Sequence, residues 1–289
     1  MLQVIGEIGG TSSRWAVLED GQEATLWPPK GERWPGYNPV SSGGEAFAQS
    51  IRSQFMTHRP EALLADEVHI YGAGCGAPDR KDRMAHAVRT IWPGAVIRVE
   101  TDLLGAAIGL CGGSEGLVLI LGTGMNAGYF DGQRLFTPMP SLGYLLGDEG
   151  SGADIGRYLL QDAFHDRIPA SALELGIAPE RSRLAEIITT VHQAPHPGRV
   201  LASFTSALAA QVDDPYVREL VQGRFQALIE LLTRYFSSDQ RARVHATGSV
   251  AYGFKSILSE SFLDHGMTLI RAEPDPLPGL ARHHQQQGS

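Results

Sequence analysis

The chain has 289 residues, of which 43% are hydrophobic and 19% charged, and its net charge is -8. This length and composition allow two domains with sizeable cores and argue against intrinsic disorder. The acidic balance counts against a nucleic-acid partner. No apolar run approaches the ~20 residues of a membrane span, no signal-peptide pattern is present, and 2 cysteines are too few for a disulfide framework. We expect a cytoplasmic protein with no nucleic-acid and no membrane partner.

In the first half of the chain, the hydrophobic pattern predicts strands that alternate with helices. Strands at 2–8 and 13–19 are joined by the turn Gly9-Gly10-Thr11-Ser12, and Asp20-Gly21 turns towards a third strand near 24–27. Residues 28–42 are rich in Pro, Gly and Trp, and we expect a loop long enough to act as a lid or a binding loop. The other predicted elements are a helix at 44–57, a strand at 67–71, a helix at 81–92, a strand at 96–99 and a helix at 102–110.

The second half repeats this order. Strands at 117–121 and 126–130 flank the turn Gly122-Thr123-Gly124, and Asp131-Gly132 is a hairpin turn. The later elements are helices at 153–164, 180–192, 199–211 and 215–237, a strand at 243–247, a helix at 249–263, a strand at 267–271 and a short helix near 278–284. The repeat predicts an α/β fold with two domains of like topology that face each other across a cleft. Chance likeness of two generic α/β patterns is the alternative.

Two glycine turns are the first candidates for ligand binding. Glycine allows a ligand to approach the backbone closely, and the N–H groups of such a turn suit a phosphate. The pair of turns therefore predicts a clamp on a polyphosphate. No GxxxxGK[ST] is present, which excludes a P-loop. Gly122-x-Gly124-x-x-Ala127 loosely matches a dinucleotide fingerprint, but a strand follows it where that fingerprint needs a helix.

Polar residues near the second turn are candidates for substrate contacts. Thr123 and Asn126 offer short polar side chains beside the turn, although ordinary turn chemistry also explains them. Asp148 and Glu149 lie in a glycine-rich stretch before a helix. They could orient sugar hydroxyls, hold Mg2+ through water, or cap that helix.

Three further positions have a functional and a structural interpretation. Asp102 follows a strand at the start of a helix, where it could be a general base or, like Thr101, an N-cap. Glu7 interrupts an apolar strand just before a glycine turn, which favours a metal-linked role. Gly248-Ser249 could present N–H groups to an adenosine or a phosphate, or could be a plain tight connection.

Four stretches carry a family resemblance: TDLLGAA at 101–107, LGTGMNAGYFDG at 121–132, SLGYLLGDEGSGADIG at 141–156 and GSVAYGFKSIL at 248–258. Together they resemble the sugar-kinase, hsp70 and actin superfamily, and within it the N-acetylglucosamine kinases and the BadF/BadG-type ATPases. The resemblance covers nearly the whole chain and implies two ribonuclease-H-like (actin-like ATPase) domains. These would be residues 1–103 with a C-terminal helix at about 277–289, and residues 104–276. A homodimer is also implied.

The resemblance implies a role for each candidate residue. Asp102 would be the general base that takes a proton from a sugar 6-hydroxyl, and ATP and Mg2+ would be the cofactors, with Glu7 reaching Mg2+ through a water. The sugar-binding residues would be Thr123, Asn126, Gly143 and Asp148. The ATP-binding residues would be Gly9, Gly10, Thr11, Ser12, Gly122, Thr123, Gly124, Gly248 and Ser249.

The first turn departs from the family pattern D-G/S-G-S/G-T-K-T, because Glu7 replaces the Asp and Ser12 replaces the Lys. Loss of the Lys removes a positive charge from the phosphate clamp, and Arg14 lies two residues further on.

The expected activity is phosphorylation of the 6-hydroxyl of N-acetylglucosamine or a related amino sugar. One alternative is a non-catalytic sugar or nucleotide sensor. The other is an ATPase that activates a radical dehydratase through a cluster shared by two subunits, for which Cys75 and Cys111 are the candidate ligands.

Overall fold

The computed structural model describes residues 1–20, 22–29, 32–40 and 43–287. Contacts divide the chain into a first unit, Met1–Gly113 with Asp275–Ser289, and a second unit, Ser114–Pro274. The glycine of the expected hairpin at 20–21, four positions of the expected 28–42 loop and the last two residues of the expected terminal segment lie outside the described residues. No helix in the described part of the chain combines the length and the apolar character needed to cross a membrane.

The first unit is built on a mixed sheet. Its described strands are β1 (Leu2–Ile8), β2 (Ser12–Glu19), β3 (Thr25–Trp27), β4 (Trp34–Pro35), β5 (Glu67–Gly72) and β6 (Val96–Thr101). The strand order is β3-β2-β1-β5-β6, with β4 paired to β2. β2 is antiparallel to β1, whereas β1, β5 and β6 run parallel. Ile8 pairs with Gly72 and Gly72 with Thr101, so the carboxyl ends of the parallel strands lie at one edge of the sheet.

Helices cover both faces of this sheet. The described helices up to residue 113 are α1 (Gly44–His58), α2 (Pro78–Arg89) and α3 (Asp102–Cys111), with a 3-10 turn at Pro60–Leu64. On one face Trp15 packs edge-on against Phe55 of α1, with ring centroids 5.6 Å apart, inside a core of buried side chains. On the other face Ile5 belongs to a smaller core that includes Leu277 and Leu280 from the last helix of the chain.

The second unit has the same strand order as the first. Its described strands are β7 (Gly116–Leu121), β8 (Met125–Phe130), β9 (Leu135–Phe136), β10 (Arg243–Thr247) and β11 (Thr268–Glu273). The order β11-β10-β7-β8-β9 combines an antiparallel β7-β8-β9 meander with β10 and β11, which run parallel to β7. The expected α/β fold of two like units is confirmed, because each sheet begins with an antiparallel meander and ends with parallel strands.

Along the chain, most helices of the second unit come between β9 and β10, and two more come between β10 and β11. They are α4 (Gly143–Leu146), α5 (Gly152–Phe164), α6 (Ala170–Leu173), α7 (Leu184–Gln193), α8 (Pro197–Ser203), α9 (Thr205–Ala209), α10 (Pro215–Tyr235), α11 (Ser238–Arg241), α12 (Ser249–Gly253) and α13 (Lys255–Leu263). The last helix, α14 (Leu277–Gln287), belongs to the first unit. Alternate residues of β7, such as Leu119, share a buried core with Phe225 and Leu228 of α10.

Several predicted elements differ in detail from the structure. The predicted helix 199–211 is two helices, because the Thr205 hydroxyl donates to Ala202 O (2.8 Å) and competes with the helical backbone bonds around Phe204. The predicted helix 249–263 is also broken, at Phe254, after Gly253. The 28–42 segment contains the short strand β4, and α4, α6 and α11 are short helices that the periodicity does not predict, since four residues carry no helical period.

The division between the units also falls at a different place from the sequence estimate. The contacts separate the units after Gly113, whereas the sequence places the division between 103 and 104. The reason is that α3 packs closely within the first unit. An added Cβ on Gly105 would lie 2.7 Å from the Tyr71 side chain, and one on Gly279 of α14 would lie 1.8 Å from Gly109 O. Glycine allows α3 and α14 to approach this closely, and α3 therefore stays with the first sheet.

Candidate active site

The first glycine turn (residues 9–12) joins β1 to β2 at the carboxyl end of β1. Gly9 N–H donates to Ser12 O at 2.9 Å and closes the turn. Part of the expected 28–42 loop packs on it, because Tyr37 N–H donates to Gly9 O (3.1 Å) and Gly36 N–H to Thr11 O (3.3 Å). An added Cβ on Gly36 would lie 2.2 Å from Gly9 O, so a side chain does not fit there. The segment is thus bonded to the turn itself.

Glu7 lies one residue before the end of β1 and directly opposite Arg14 of β2. Residues opposite each other in an antiparallel pair share one face of the sheet. Arg14 Nη1 donates to Asp275 Oδ2 at 2.5 Å. The pKa of Glu7 is raised to about 8, mainly by burial and next by the carboxylates of Asp275 and Asp102, while Arg14 opposes the shift. The corner of the first unit beside the first glycine turn is therefore rich in carboxylates, and its arginine is already paired.

Asp102 is the first residue of α3, directly after β6. The helix cap is its neighbour Thr101, whose Oγ1 accepts a hydrogen bond from Leu104 N–H at 3.2 Å. Asp102 Oδ1 accepts from Leu103 N–H at 2.9 Å. Burial raises the pKa of Asp102 to about 6, against the effect of the Leu103 bond. Asp102 is thus not the cap, and a carboxylate that ionises near pH 6 is able to accept a proton at neutral pH.

The second glycine turn (residues 122–124) joins β7 to β8 and is covered by the start of α5. Gly152 N–H donates to Gly122 O at 2.8 Å, and Ala153 N–H donates to Thr123 O at 3.1 Å. Ser151 is the N-cap of α5, so neither Asp148 nor Glu149 has that role. The hydrogen bonds attach the stretch that contains Asp148 to the turn that contains Thr123.

Asp148 lies directly against the second glycine turn. Its residue surface is only 8% exposed, and its φ of 63° is in the left-handed region, which asparagine and aspartate tolerate better than most residues. An added Cβ on Gly124 would lie 2.8 Å from Asp148 Oδ2, so only glycine leaves room for this carboxylate. Burial raises the pKa of Asp148 to about 6, a hydrogen bond from Met125 N–H opposes the shift, and the charge of Glu149 adds to it.

The other predicted sugar contacts lie nearby in the second unit. Thr123 is part of the turn, and Asn126 follows in β8, where its Oδ1 accepts from Ala127 N–H at 3.0 Å. Gly143 has a φ of 71° and opens α4. Its carbonyl accepts a hydrogen bond from Gly147 N–H at 2.9 Å, immediately before Asp148. The structure thus connects Gly143 to the Asp148 stretch through backbone contacts.

The predicted adenosine turn, Gly248-Ser249, packs against the second glycine turn through Gly248. Its φ is 110°, and an added Cβ would lie 2.4 Å from Leu121 O, so the position requires glycine on two grounds. Gly248 N–H donates to Glu273 O of β11 at 3.1 Å, and Ser249 begins α12. Three stretches that are distant in the sequence therefore meet in the second unit.

Glu7, near the first glycine turn, is the predicted contact to a metal ion. Among the described residues, no group of three or more His, Cys, Asp or Glu side chains is placed to hold a metal ion. Mg2+ usually keeps several waters and needs one or two carboxylates when phosphates also bind it, which a single Glu7 fits. Cys75, a candidate ligand for a cluster shared by two subunits, is almost fully buried, and burial raises the pKa of its thiol to about 12.

The sequence did not identify Asp275, Asp154 and Arg224 as site residues. Asp154 is buried and receives a hydrogen bond from Arg224 Nε at 2.8 Å, although 70 positions separate them. An acidic residue in the first turn of a helix is commonplace, and nothing local distinguishes this one from a solvent-exposed residue.

Comparisons with known proteins place the chain among sugar kinases. No family model and no curated protein matches it, but solved structures do. A "Putative N-acetylglucosamine Kinase" from Porphyromonas gingivalis is 31% identical, with a TM-score of 0.86 over 99% of both chains. A protein of the same name from Chromobacterium violaceum is 19% identical, with a TM-score of 0.67 over 98% of both chains. A ROK family glucokinase from Streptomyces griseus, in complex with glucose and AMPPNP, is 17% identical, with a TM-score of 0.54 over 98% of both chains. The last two show the likeness of fold alone.

The raised pKa of Asp148 predicts how its ionisation affects stability. Because the pKa rises from 3.8 to about 6 on folding, ionisation destabilises the folded state. Relative to Asp148→Asn, the wild type should be most stable below pH about 4 and should lose up to roughly 3 kcal/mol as the pH rises through 6. Urea unfolding of both proteins from pH 4 to pH 8 measures the difference.

Asp131→Asn is the matched control in the same unit, because hydrogen bonds from the N–H groups of Arg134 and Gln133 lower the pKa of Asp131. Its difference from the wild type should stay nearly constant from pH 4 to pH 8, because a pKa lowered from 3.8 changes stability only at lower pH. A difference for Asp148→Asn that stays constant with pH would contradict the prediction.

Proposed function

The chain belongs to the family of N-acetylglucosamine kinases and BadF/BadG-type ATPases in the sugar-kinase, hsp70 and actin superfamily, and we propose that it is an ATP-dependent amino-sugar kinase. The acceptor in this proposal is the 6-hydroxyl of N-acetylglucosamine or a related amino sugar. The observation that carries it is the carboxylate of Asp102 at the carboxyl edge of the parallel strands, directly after β6 and two strands away from β1, which leads into the first glycine turn. The protein would act as a cytoplasmic homodimer, as the family resemblance implies.

Asp102 is the proposed general base. It would accept the proton of the sugar hydroxyl while that oxygen forms a bond to the γ-phosphorus of ATP. The bond from the γ-phosphorus to the bridging oxygen then breaks, and ADP leaves with the electron pair. Phosphoryl transfer of this kind needs positioning and charge stabilisation more than covalent chemistry from the protein. A half-buried carboxylate with a pKa of about 6 suits the role, because it is ionised at neutral pH and still basic.

The two glycine turns and Gly248-Ser249 would hold ATP. Backbone N–H groups of glycine turns match phosphate oxygens without a side chain in the way. Mg2+ would supply charge neutralisation on the transferred phosphoryl group. Glu7 would hold it through a water, and a bound cation would favour the ionised form of a carboxyl whose pKa burial raises to about 8.

Asp148 would be the main sugar-binding residue of the second unit. A nearly buried carboxylate accepts hydrogen bonds from two hydroxyl groups at once, and removal of a sugar hydroxyl would leave it unpaired. Thr123, Asn126 and Gly143 belong to connected backbone stretches and would complete the contacts. This arrangement supports a polyhydroxylated acceptor.

A coupled ADP-release assay with Mg-ATP tests the proposed function. The panel is glucose, glucosamine, N-acetylglucosamine, N-acetylmannosamine, muramic acid and N-acetylmuramic acid. We expect turnover on an N-acetylated amino sugar and little on glucose. Sugar binding by calorimetry without ADP release from any sugar would identify a sensor instead. Iron and colour in anaerobically purified protein would point to the dehydratase activator.

Replacement of the proposed base should separate catalysis from binding. In Asp102→Asn we expect kcat to fall by about 10²–10⁴-fold, since general-base catalysis typically contributes that much, while the KM values change little. In the wild type kcat/KM should fall about tenfold per pH unit below pH 6, because protonated Asp102 cannot accept the proton. Asp82→Asn, at an exposed carboxylate on α2, is the control. An Asp102→Asn enzyme with full activity would remove Asp102 from the role.

Ser12→Lys tests the consequence of the missing charge in the first glycine turn. Arg14 is already bonded to Asp275, so an added ammonium group at position 12 should contact the phosphates without competition from it. A charged hydrogen bond is worth about 1.5–3 kcal/mol, so KM for Mg-ATP should fall by roughly tenfold or more. Gln22→Lys is the control, because Gln22 follows the other end of β2 and is exposed. An equal KM in both variants would show that charge at this turn does not limit ATP binding.

A further inference from the structure

Asp154 is buried and receives three hydrogen bonds. Its side chain is 1% exposed and lies in the first turn of α5. Gly150 N–H donates to Oδ2 at 3.0 Å, Arg224 Nε donates to the same oxygen at 2.8 Å, and Arg157 Nη2 donates to Oδ1 at 2.7 Å. An acidic residue that only complements the helix dipole can do so at the surface, without burial and without these three donors. A buried carboxylate is tolerated because these donors satisfy it.

Arg224 is held from two sides. Its guanidinium carbon lies 3.9 Å from the ring centroid of Tyr158, a cation–π contact, while its Nε bonds Asp154. Only 15% of its side chain is exposed. Arg224 belongs to α10, whose Leu228 also approaches the same turn, because an added Cβ on Gly150 would lie 3.2 Å from Leu228 Cβ. Helix α10 therefore contacts the Gly150 turn directly and through Asp154.

Gly150 connects this pair to Asp148. Gly150 has a φ of 76° and Asp148 a φ of 63°, so two residues of the turn are in the left-handed region. Ser151 N–H donates to Asp148 O at 3.0 Å. The left-handed conformation costs glycine nothing, whereas at Asp148 it persists only where the surroundings hold it. The hydrogen bond from Gly150 N–H to Asp154 supplies a restraint two residues from the carboxylate that lies on Gly124.

We propose that Asp154 and Arg224 are positioning residues that fix the Gly150 peptide and thereby keep the Asp148 carboxylate against the second glycine turn, where it binds the sugar. The sugar-binding part rests on the proposed function, whereas the restraint on the turn does not. Arg157 bonds the other oxygen of Asp154 from a more exposed position, 35% of its side chain being accessible. It does not bond Oδ2, the oxygen that accepts from Gly150 N–H, and it therefore provides the matched control.

Hydrogen exchange tests the restraint without any ligand. In Arg224→Gln we expect the Gly150 amide, followed by NMR, to exchange about tenfold faster or more than in the wild type. In Arg157→Gln it should exchange at nearly the wild-type rate. Arg224→Lys keeps the charge but loses the planar guanidinium, and should exchange at an intermediate rate. Unchanged exchange of Gly150 in folded Arg224→Gln overturns the proposal, whether or not the protein is a kinase.

Ligand affinity tests the link to the sugar. The dissociation constant for N-acetylglucosamine, measured by calorimetry, should rise about tenfold in Arg224→Gln, with KM for ATP within about twofold of the wild type. Asp154→Asn, which retains an oxygen for Gly150 N–H, should show a smaller loss than Asp154→Ala. Equal losses of sugar and ATP affinity would indicate that the substitution destabilises the fold as a whole, and would overturn the positioning role. A third outcome is that Gly150 exchanges faster in Arg224→Gln but the wild type binds none of the sugars. That outcome would refute the proposed function and leave the restraint established.

Discussion

The hydrogen bonds from Gly152 and Ala153 to the carbonyls of Gly122 and Thr123 are the contact on which the candidate site of the second unit depends. They join backbone to backbone, so the distance between the turn and α5 is set without side chains. Side chains would obstruct this packing, since an added Cβ on Gly152 would lie 3.1 Å from Gly122 O. The need for close backbone approach explains why glycines recur in stretches so distant in the chain.

The two units share a strand order but cover their glycine turns differently. In each, the turn lies in the first hairpin of the sheet, between β1 and β2 or between β7 and β8. Backbone bonds from the Gly36–Tyr37 segment cover the first turn, whereas helix α5 covers the second. The repeated hairpin explains why the chain has two glycine turns at equivalent places. The different coverings explain why the neighbouring carboxylates, Glu7 in one unit and Asp148 in the other, lie in different surroundings.

Burial is the largest cause of the raised pKa at Glu7, Asp102 and Asp148. Carboxylates with shifted pKa values are common where a protein binds or transforms a ligand, because a site that excludes water also disfavours isolated charge. In the first unit the charge beside the turn is mainly negative, since the cation of Arg14 is paired with Asp275. That balance would suit the cation of the proposed Mg-ATP substrate, and Ser12 adds no positive charge where the family pattern has a Lys.

The sequence by itself determined the alternation of strands and helices, the two glycine turns and the candidate residues beside them. Those features depend on hydrophobic period and on glycine, which act within a few residues of the chain. Only the tertiary structure decided that Thr101 and not Asp102 caps α3, and that Asp148 lies on Gly124. It also decided the pairing of Arg14 with Asp275, 261 positions apart, and of Asp154 with Arg224. The physical reason is that a charged side chain's partner and burial are set by packing between distant elements, whereas local propensity is set by neighbours in the chain.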